Sequence, residues 1–392
     1  MIDYSQFISP HISQLAPSGI RKFFDIAATM DDVISLGVGE PDFVTPWAVR
    51  EAGIYSLEKG HTHYTANKGT KELLSEISVY LARKYNLRYD PSSEILVTVG
   101  GSEAIDLLIR AIISKGDEVL IPEPCFVCYK PCTLMAGGTP VTIQTEEKDN
   151  FKLTAQKLLE KITDRSKLLI LPFPNNPTGA VMTREDLEEI AKVVKEHNLL
   201  VLSDEIYSEL TYDGTHVSFA SIEGMREHTI TVNGFSKAFA MTGWRLGYAC
   251  GPEPIIKQMT KIHQYGIMCA PTTSQYAAVE ALRSCDEEVE YMRNEYDHRR
   301  RVMINGFREM GLSCFEPHGA FYVFPNISAT GLTSEEFATE LLYKKKVAVV
   351  PGTAFGECGE GFIRCSYAYS IKNIERALER IGEFVSDYIK VM

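Results

Sequence analysis

Residues 235–245 have the sequence Phe-Ser-Lys-Ala-Phe-Ala-Met-Thr-Gly-Trp-Arg, and they are the most informative segment of the chain. Small and apolar neighbours desolvate Lys237, which lowers its pKa and leaves more of its amine neutral and nucleophilic. The guanidinium of Arg245, eight positions later, offers a planar fork for phosphate oxygens. The pair suits a Schiff base formed beside a phosphate. The alternative is an ordinary buried turn with a lysine that snorkels to solvent.

Around this segment, short apolar runs alternate with helical patterns. The predicted strands are Ile95–Val99, Glu118–Ile121, Lys167–Leu171, Leu199–Ser203, Thr229–Val232 and Leu246–Cys250. Helices are predicted over Ser102–Ser114 and Arg184–His197. Such alternation predicts an α/β fold with a largely parallel sheet covered on both faces. In these sheets, ligands bind at the carboxyl ends of the strands.

The C-terminal part of the sequence has a different pattern, typical of an α+β domain. The predicted elements are a helix over Glu295–Met310, a strand over Ala320–Phe324, a helix over Ser334–Lys345, strands over Val347–Val350 and Phe362–Ser366, and a helix over Lys372–Ile389. We therefore predict a large domain over residues 45–290. A smaller domain would combine residues 291–392 with an N-terminal arm, residues 1–44.

Polar residues follow several predicted strands. Gly100, Gly101 and Ser102 open a helix, where free backbone amides favour an anion, although a Gly-Gly turn is weak evidence by itself. Asn176 lies in a loop that its prolines make rigid. Asp204 ends a fully apolar strand, so it is predicted to be buried and to need a cation or hydrogen-bond donors. Capping of a helix is the simpler alternative for Asp204.

Composition excludes several classes of partner. The 392 residues are 45% hydrophobic and 23% charged, and 40 basic against 52 acidic side chains give a formal net charge of −12. This balance argues against nucleic acid or an anionic membrane as the main partner. No apolar stretch reaches the roughly 18 residues that span a bilayer.

Nine scattered cysteines favour reduced thiols in a cytoplasmic protein. Cys125, Cys128 and Cys132 form a C-x2-C-x3-C pattern, but no second cysteine pair follows, and no metal is predicted.

The ordered motifs resemble those of the class I/II aminotransferases, pyridoxal 5'-phosphate enzymes of fold type I. The motifs are Asn-Pro-Thr-Gly (residues 176–179), Asp-x-x-Tyr (204–207) and Ser-Lys-x-x-x-Met-Thr-Gly-Trp-Arg (236–245). The similarity extends from Gly37-Val38-Gly39-Glu40-Pro41-Asp42-Phe43 to Gly361-Phe362-Ile363-Arg364-Cys365-Ser366-Tyr367. It implies a large domain with a mostly parallel seven-stranded sheet flanked by helices, plus a smaller α+β domain.

The resemblance also implies roles for individual residues. Lys237 would carry the cofactor, Asp204 would pair with its ring nitrogen, and Tyr207 would hydrogen-bond its ring oxygen together with Asn176. The resemblance also implies that Phe126 stacks on the ring. It implies that the phosphate is contacted by Gly101, Ser102, Ser236, Arg245 and the partner subunit's Tyr64. Gly234 stands where many relatives have a phosphate-binding serine, which leaves the contact of Ser236 with the phosphate open.

For the substrate, Arg364 matches the arginine that pairs with the α-carboxylate, assisted by Asn176 and the Gly39 backbone. The implied reaction moves an amino group from an L-amino acid to a 2-oxo acid such as 2-oxoglutarate by a ping-pong mechanism. Because Tyr64 would serve the neighbouring site, the resemblance implies a homodimer.

The identity of the donor stays open in the sequence. Some aspartate-preferring relatives have a lysine in the Gly-Gly loop where this chain has Ser102. This difference and an apolar arm (Ile12, Leu15, Ile20, Phe23 and Phe24) favour an aromatic or other bulky donor. Aspartate, alanine and N-acyl-diaminopimelate-type donors remain alternatives, because active sites of one fold serve many reactions. A fold-type-I lyase would share Lys237, Asp204 and Arg245, and a non-catalytic regulator is the third alternative.

Overall fold

A computed structural model of the protein describes residues 2–13, 15, 19, 26 and 29–389. The predictions for Ile20, Phe23 and Phe24 of the arm lie outside the described residues. The helices are α1 (Pro10–Ser13), α2 (Trp47–Glu58), α3 (Lys71–Tyr85), α4 (Gly101–Ile112), α5 (Tyr129–Met135), α6 (Ala155–Leu159), α7 (Arg184–Glu196), α8 (Glu253–Gly266), α9 (Thr272–Ser284), α10 (Asp286–Glu309), α11 (Ser334–Lys345) and α12 (Ile371–Val385). Within these described residues, no helix is both long and apolar enough to cross a membrane.

A mostly parallel sheet of seven strands forms the centre of the molecule, as predicted. Its strands are β2 (Ile95–Thr98), β3 (Glu118–Glu123), β4 (Thr139–Gln144), β5 (Ser166–Leu171), β6 (Leu200–Asp204), β7 (Thr229–Gly234) and β8 (Gly247–Cys250). Their order is β2-β8-β7-β6-β5-β3-β4, and β8 alone is antiparallel to its neighbours. The other six strands run in one direction, so their carboxyl ends share one edge.

Apolar residues cover both faces of this sheet. Leu168 and Ile170 of β5 belong to the core cluster that includes α4, whereas Leu169 and Leu171 belong to the cluster that includes α7. Successive side chains of a strand point to opposite faces, so a strand buried on both sides must be apolar throughout. This requirement explains the continuous apolar runs in the sequence.

One strand of the sheet was absent from the sequence prediction. The edge strand β4 contains Pro140 and is largely half-exposed, because β3 is its single neighbour in the sheet. Edge strands tolerate proline and polar residues, and this strand therefore lacks the apolar run that marks the central strands.

Two smaller sheets carry the C-terminal part of the chain. Strand β1 (Ile34–Ser35) pairs with β10 (Val347–Ala348), and β11 (Val350–Pro351), β12 (Ile363–Ser366) and β9 (Tyr322–Val323) form an antiparallel sheet. The single strand predicted over Val347–Val350 is therefore wrong: it is two short strands in different sheets. The division of the chain into domains at residues 44/45 and 290/291 stays a prediction.

Helix α10 is longer than predicted. It begins at Asp286 and not at Glu295, and its first turn holds Asp286, Glu287 and Glu288. Acidic side chains stabilise a helix N-terminus by interacting with its dipole, which explains the added turns. These turns carry Val289 and Met292 into the core. Further along the same helix, Arg299 forms an ion pair with Asp42.

Candidate active site

The carboxyl edge of the large sheet contains a cavity of about 480 Å³. Strands β2, β3, β5, β6 and β7 each lead into a loop or turn that contributes to its wall. Eleven of the twelve residues that the sequence assigned to the site line it: Gly39, Gly101, Ser102, Phe126, Asn176, Asp204, Tyr207, Ser236, Lys237, Arg245 and Arg364. The parallel strands therefore bring together residues that are far apart in the sequence.

Lys237 lies in the turn after β7, with its amine inside the cavity. Its Nζ donates a hydrogen bond to the carbonyl oxygen of Gly39. Burial lowers the pKa of Lys237 to about 8, and the nearby positive charge of Arg364 acts in the same direction. An amine with this pKa is partly neutral near neutral pH, so it can act as a nucleophile and as a base.

Asp204 is the last residue of β6, and it is buried beneath the cavity. Its Oδ2 accepts a hydrogen bond from the hydroxyl of Tyr129 at 2.7 Å, and its Oδ1 accepts one from the backbone N–H of Ile206 at 3.2 Å. Burial raises the pKa of Asp204, while these two hydrogen bonds lower it. Both donors are neutral, so a cation in the cavity would stabilise the carboxylate further.

Arg364 is a residue of β12, which places its side chain in the wall of the cavity. One terminal nitrogen donates to Oδ1 of Asn176 at 2.8 Å, and the other donates to the carbonyl oxygen of Gly37. Its Nε is buried and has no hydrogen-bond partner among the described residues. Because a buried donor without a partner costs free energy, this nitrogen is suited to receive an oxygen of a bound carboxylate.

The start of α4 forms an anion site together with Arg245. Gly100 has a φ of 79°, and a Cβ at this position would lie 2.9 Å from Nη2 of Arg245. The backbone N–H groups at the start of α4 and the guanidinium therefore approach the same small space. This combination favours a phosphate group.

Neighbouring backbone atoms disfavour a serine at position 234, where many relatives have a phosphate-binding serine. A Cβ at Gly234 would lie 3.0 Å from both the Cα of Gly247 and the carbonyl oxygen of Leu246. A serine side chain here would require the backbone of the neighbouring strand to move by a few tenths of an ångström. Ser236 lines the cavity, so a hydroxyl is available two positions later.

Tyr64 is the one sequence-assigned residue that does not line the cavity. Its side chain is 80% exposed on the surface of the chain. A contact between Tyr64 and the partner subunit's phosphate site stays a prediction.

Among the cavity residues that the sequence analysis missed, two are tyrosines that contact assigned residues. Tyr129 donates to Asp204, and it lies three positions after Phe126, where α5 begins. Tyr322 is in β9, and its hydroxyl lies 2.8 Å from that of Tyr207. The position of Tyr129 one helical turn from Phe126 was a usable signal. Tyr322 had none, because its strand had been predicted but the pairing of that strand with β12 had not.

The residues present fit pyridoxal 5'-phosphate. Lys237 provides the amine. Among the described residues, Asp204 accepts hydrogen bonds from neutral groups alone, so its carboxylate could pair with a ring nitrogen. The Gly101 amide and Arg245 could bind the phosphate. Phe126 lines the same cavity with a half-buried side chain, so an aromatic face is available there to a flat ring. A metal is not implied by the geometry: the part of the chain that the structure describes has no group of three His, Cys, Asp or Glu side chains that could hold an ion.

Comparison with known proteins identifies relatives over nearly the full length. The family model described as aminotransferase class I and II matches residues 31–381. The chain is 49% identical to an aspartate aminotransferase of Pyrococcus abyssi, over 97% of this chain and 98% of that protein. It is 44% identical to aromatic-amino-acid aminotransferase 2 of Thermococcus litoralis, with the same two coverages. The crystal structure of an aromatic aminotransferase from Pyrococcus horikoshii superposes with a TM-score of 0.90 at 47% identity, covering 93% of this chain and 99% of that one.

Proposed function

Because this chain belongs to the class I and II aminotransferases, we propose that it transfers the amino group of an aromatic or other bulky L-amino acid to a 2-oxo acid such as 2-oxoglutarate. The observation that carries the proposal is the shared cavity, in which the amine of Lys237, the carboxylate of Asp204 and the guanidinium of Arg364 converge. Relatives with aspartate and with aromatic amino acids in their names are about equally similar, so the choice of donor rests on the cavity.

The proposed cofactor is pyridoxal 5'-phosphate, whose protonated ring accepts the electrons released when a bond to the substrate's Cα is broken. Lys237 would hold it covalently, and Asp204 would keep its ring nitrogen protonated. Arg245 and the amides of Gly101 and Ser102 would bind the phosphate, with Phe126 on the ring face and Tyr207 and Asn176 at the ring oxygen.

The chain's own residues perform the proton transfer. Arg364 and Asn176 bind the substrate's α-carboxylate and thereby orient its Cα toward Lys237. Nζ of Lys237, with its pKa lowered to about 8, removes the proton from Cα. The product oxo acid leaves before the second oxo acid binds in the same place, so the kinetics are ping-pong.

The charge distribution of the cavity supports a donor without a second carboxylate. Among the described residues that line it, the cations are Lys237, Arg245 and Arg364, and each already has a role with the cofactor or the α-carboxylate. Apolar and aromatic groups form much of the remaining wall: Val38, Ile105, Phe126, Pro172, Pro174 and Ile206. A bulky apolar side chain would be well accommodated there. 2-Oxoglutarate would enter in the second half-reaction after side chains rearrange.

We propose that the active assembly is a homodimer. Apolar side chains are unusually exposed on α2 and at the end of α8: Trp47 is 58% exposed, Tyr55 56% and Tyr265 87%. Surface of this kind is typical of an interface. Tyr64 is close in sequence to α2 and would reach the partner subunit's phosphate site. The nine cysteines are free thiols, which supports a cytoplasmic location.

The deciding experiment is a visible spectrum of the purified holoenzyme while single amino acids are added without an oxo acid. Loss of the visible absorption band with formation of the matching oxo acid is the expected result. The rates with Phe, Tyr, Asp, Glu and Ala then rank the donors, and we expect Phe and Tyr to be fastest. Fastest conversion of Asp would overturn the donor class. A band that persists while pyruvate and ammonia accumulate would point to a lyase.

A further inference from the structure

We propose that Tyr322 is a positioning residue whose hydroxyl donates a hydrogen bond to the hydroxyl of Tyr207, which turns the hydrogen of Tyr207 toward the ring oxygen of the cofactor. The inference rests on the proposed function, and it assigns a role to a residue outside the sequence motifs. It also explains how the arginine that binds the substrate is connected to the tyrosine that contacts the cofactor.

Strand pairing places Tyr322 beside Arg364. In the antiparallel pair of β9 and β12, Tyr322 is opposite Ser366. Arg364 is two residues from Ser366, so its side chain is on the same face of the sheet as that of Tyr322. The guanidinium carbon of Arg364 lies 4.4 Å from the centre of the Tyr322 ring. This cation–π contact holds the phenol and the carboxylate-binding group together.

The surroundings leave the Tyr322 ring little freedom. Its side chain is buried, and its ring centre lies 4.8 Å from that of Phe321. A Cβ at Gly39 would lie 2.6 Å from the Tyr322 hydroxyl, so the Gly39 backbone packs closely against the end of the phenol. The hydroxyl is thereby held 2.8 Å from that of Tyr207.

The direction of this hydrogen bond follows from a count of hydrogens. Each phenol has one hydrogen to donate. If Tyr207 uses its hydrogen for the cofactor, the hydrogen in the 2.8 Å contact must come from Tyr322. The opposite arrangement would turn the hydrogen of Tyr207 away from the cofactor and leave its lone pairs facing an oxygen.

The electrostatics agree with Tyr322 as the donor. Burial raises the pKa of both phenols, and it raises that of Tyr207 well above the usual value. The positive charge of Arg364 lowers the pKa of both phenols, and at Tyr322 it is the largest effect after burial. The more acidic phenol is the better donor, and a hydroxyl that accepts a hydrogen bond becomes a stronger donor itself.

The test is a pH titration of the visible absorption of the holoenzyme in the wild type, Tyr207→Phe, Tyr322→Phe and the double variant. A hydrogen bond donated to the cofactor's ring oxygen draws charge from that oxygen and lowers the midpoint of the titration. Tyr207→Phe should therefore raise the midpoint. Tyr322→Phe should raise it by a smaller amount, at most about 0.7 of a pH unit for a hydrogen bond of about 1 kcal/mol. In the Tyr207→Phe background, the second substitution should add nothing.

Two further measurements separate positioning from a structural effect. Tyr367→Phe removes another buried phenol hydroxyl, which donates to the carbonyl oxygen of Ala320 at 3.2 Å, and should leave the midpoint unchanged. Phenylalanine at position 322 keeps the ring over Arg364, so kcat should fall several-fold while KM for the amino acid changes by less than about two-fold. The apoprotein of Tyr322→Phe should melt close to wild type.

An unchanged or lowered midpoint in Tyr322→Phe would overturn the inference, since a lowered midpoint means that Tyr207 had been donating to Tyr322. Additive shifts in the double variant would also overturn it. These results leave the proposed function intact. If the wild-type apoprotein instead gained no visible band with pyridoxal 5'-phosphate, the proposed function itself would fail.

Discussion

The hydroxyl of Tyr129 donates a hydrogen bond of 2.7 Å to Oδ2 of Asp204, and both groups are buried at the carboxyl end of β6. Tyr129 belongs to the segment that follows β3, so the contact joins two strands of the sheet beneath the cavity. It holds the carboxylate in one orientation and, by stabilising its charge, opposes the effect of burial on its pKa.

Substitution of Tyr129 by Phe should weaken this support for Asp204. The pKa of Asp204 rises when the donor is lost, and the ionised carboxylate is the form that pairs with a protonated ring. The acid limb of the kcat–pH profile should therefore move to higher pH, and the cofactor should bind several-fold more weakly. The profile and the cofactor Kd of the variant check this expectation. An acid limb at the wild-type pH would show that Tyr129 has no influence on Asp204.

The lowered pKa of Lys237 predicts how the apoprotein takes up its cofactor. The neutral amine is the nucleophile, and burial lowers its pKa to about 8. The rate of uptake of pyridoxal 5'-phosphate should therefore rise with pH and level off above about 8, which stopped-flow absorbance can follow.

Lys237→Ala should lose the visible band and all detectable turnover. Retained turnover in this variant would contradict the assignment of Lys237.

Replacement of Arg364 by Lys should chiefly weaken binding of the amino acid. The loss of two charge-assisted hydrogen bonds, at about 1.5–3 kcal/mol each, predicts a KM at least ten-fold higher with a smaller change in kcat. Arg376→Lys is a suitable control, since Arg376 forms an exposed ion pair with Asp32 at 3.3 Å. An unchanged KM in Arg364→Lys would mean that another cation binds the carboxylate.

Introduction of serine at Gly234 should destabilise the protein. The new Cβ would lie 3.0 Å from backbone atoms of β8 and the residue before it, and overpacking of this kind costs about 1–3 kcal/mol. Cofactor affinity should not improve. Gly243→Ser is the matched control, because a Cβ there meets nothing within 4 Å. Chemical denaturation of both variants measures the difference, and equal free energies of unfolding would refute the steric explanation.

A mixing experiment tests the shared site of the proposed dimer. Lys237→Ala and Tyr64→Ala should each be nearly inactive as homodimers. After the two are unfolded and refolded together, heterodimers would contain one site with an intact Lys237 and an intact Tyr64 from the partner. Turnover should therefore reappear in the mixture. Its absence, despite heterodimers seen by mass spectrometry, would place Tyr64 in the site of its own chain. Wild-type turnover of the Tyr64→Ala homodimer would place Tyr64 outside both sites.

Much of the central sheet could be predicted because its pattern is local. Strands buried on both faces must be apolar throughout, so β2, β3, β5, β6, β7 and β8 are visible as short apolar runs. Strand β4 was missed because an edge strand has no such requirement. Helix α10 was predicted too short, because its first turns are acidic and lack a continuous apolar pattern.

The sequence by itself determined the fold class, the family and the residue types of the site, because ordered motifs such as those around Asp204 and Lys237 follow the strands that present them. Only the tertiary structure decided which groups meet: Tyr129 with Asp204, Tyr322 with Tyr207, and Arg364 with Asn176. These partners lie far apart along the chain, and side-chain contacts of this kind depend on sheet order and strand register. The same holds for Gly234, where the closeness of β8 makes any side chain crowded.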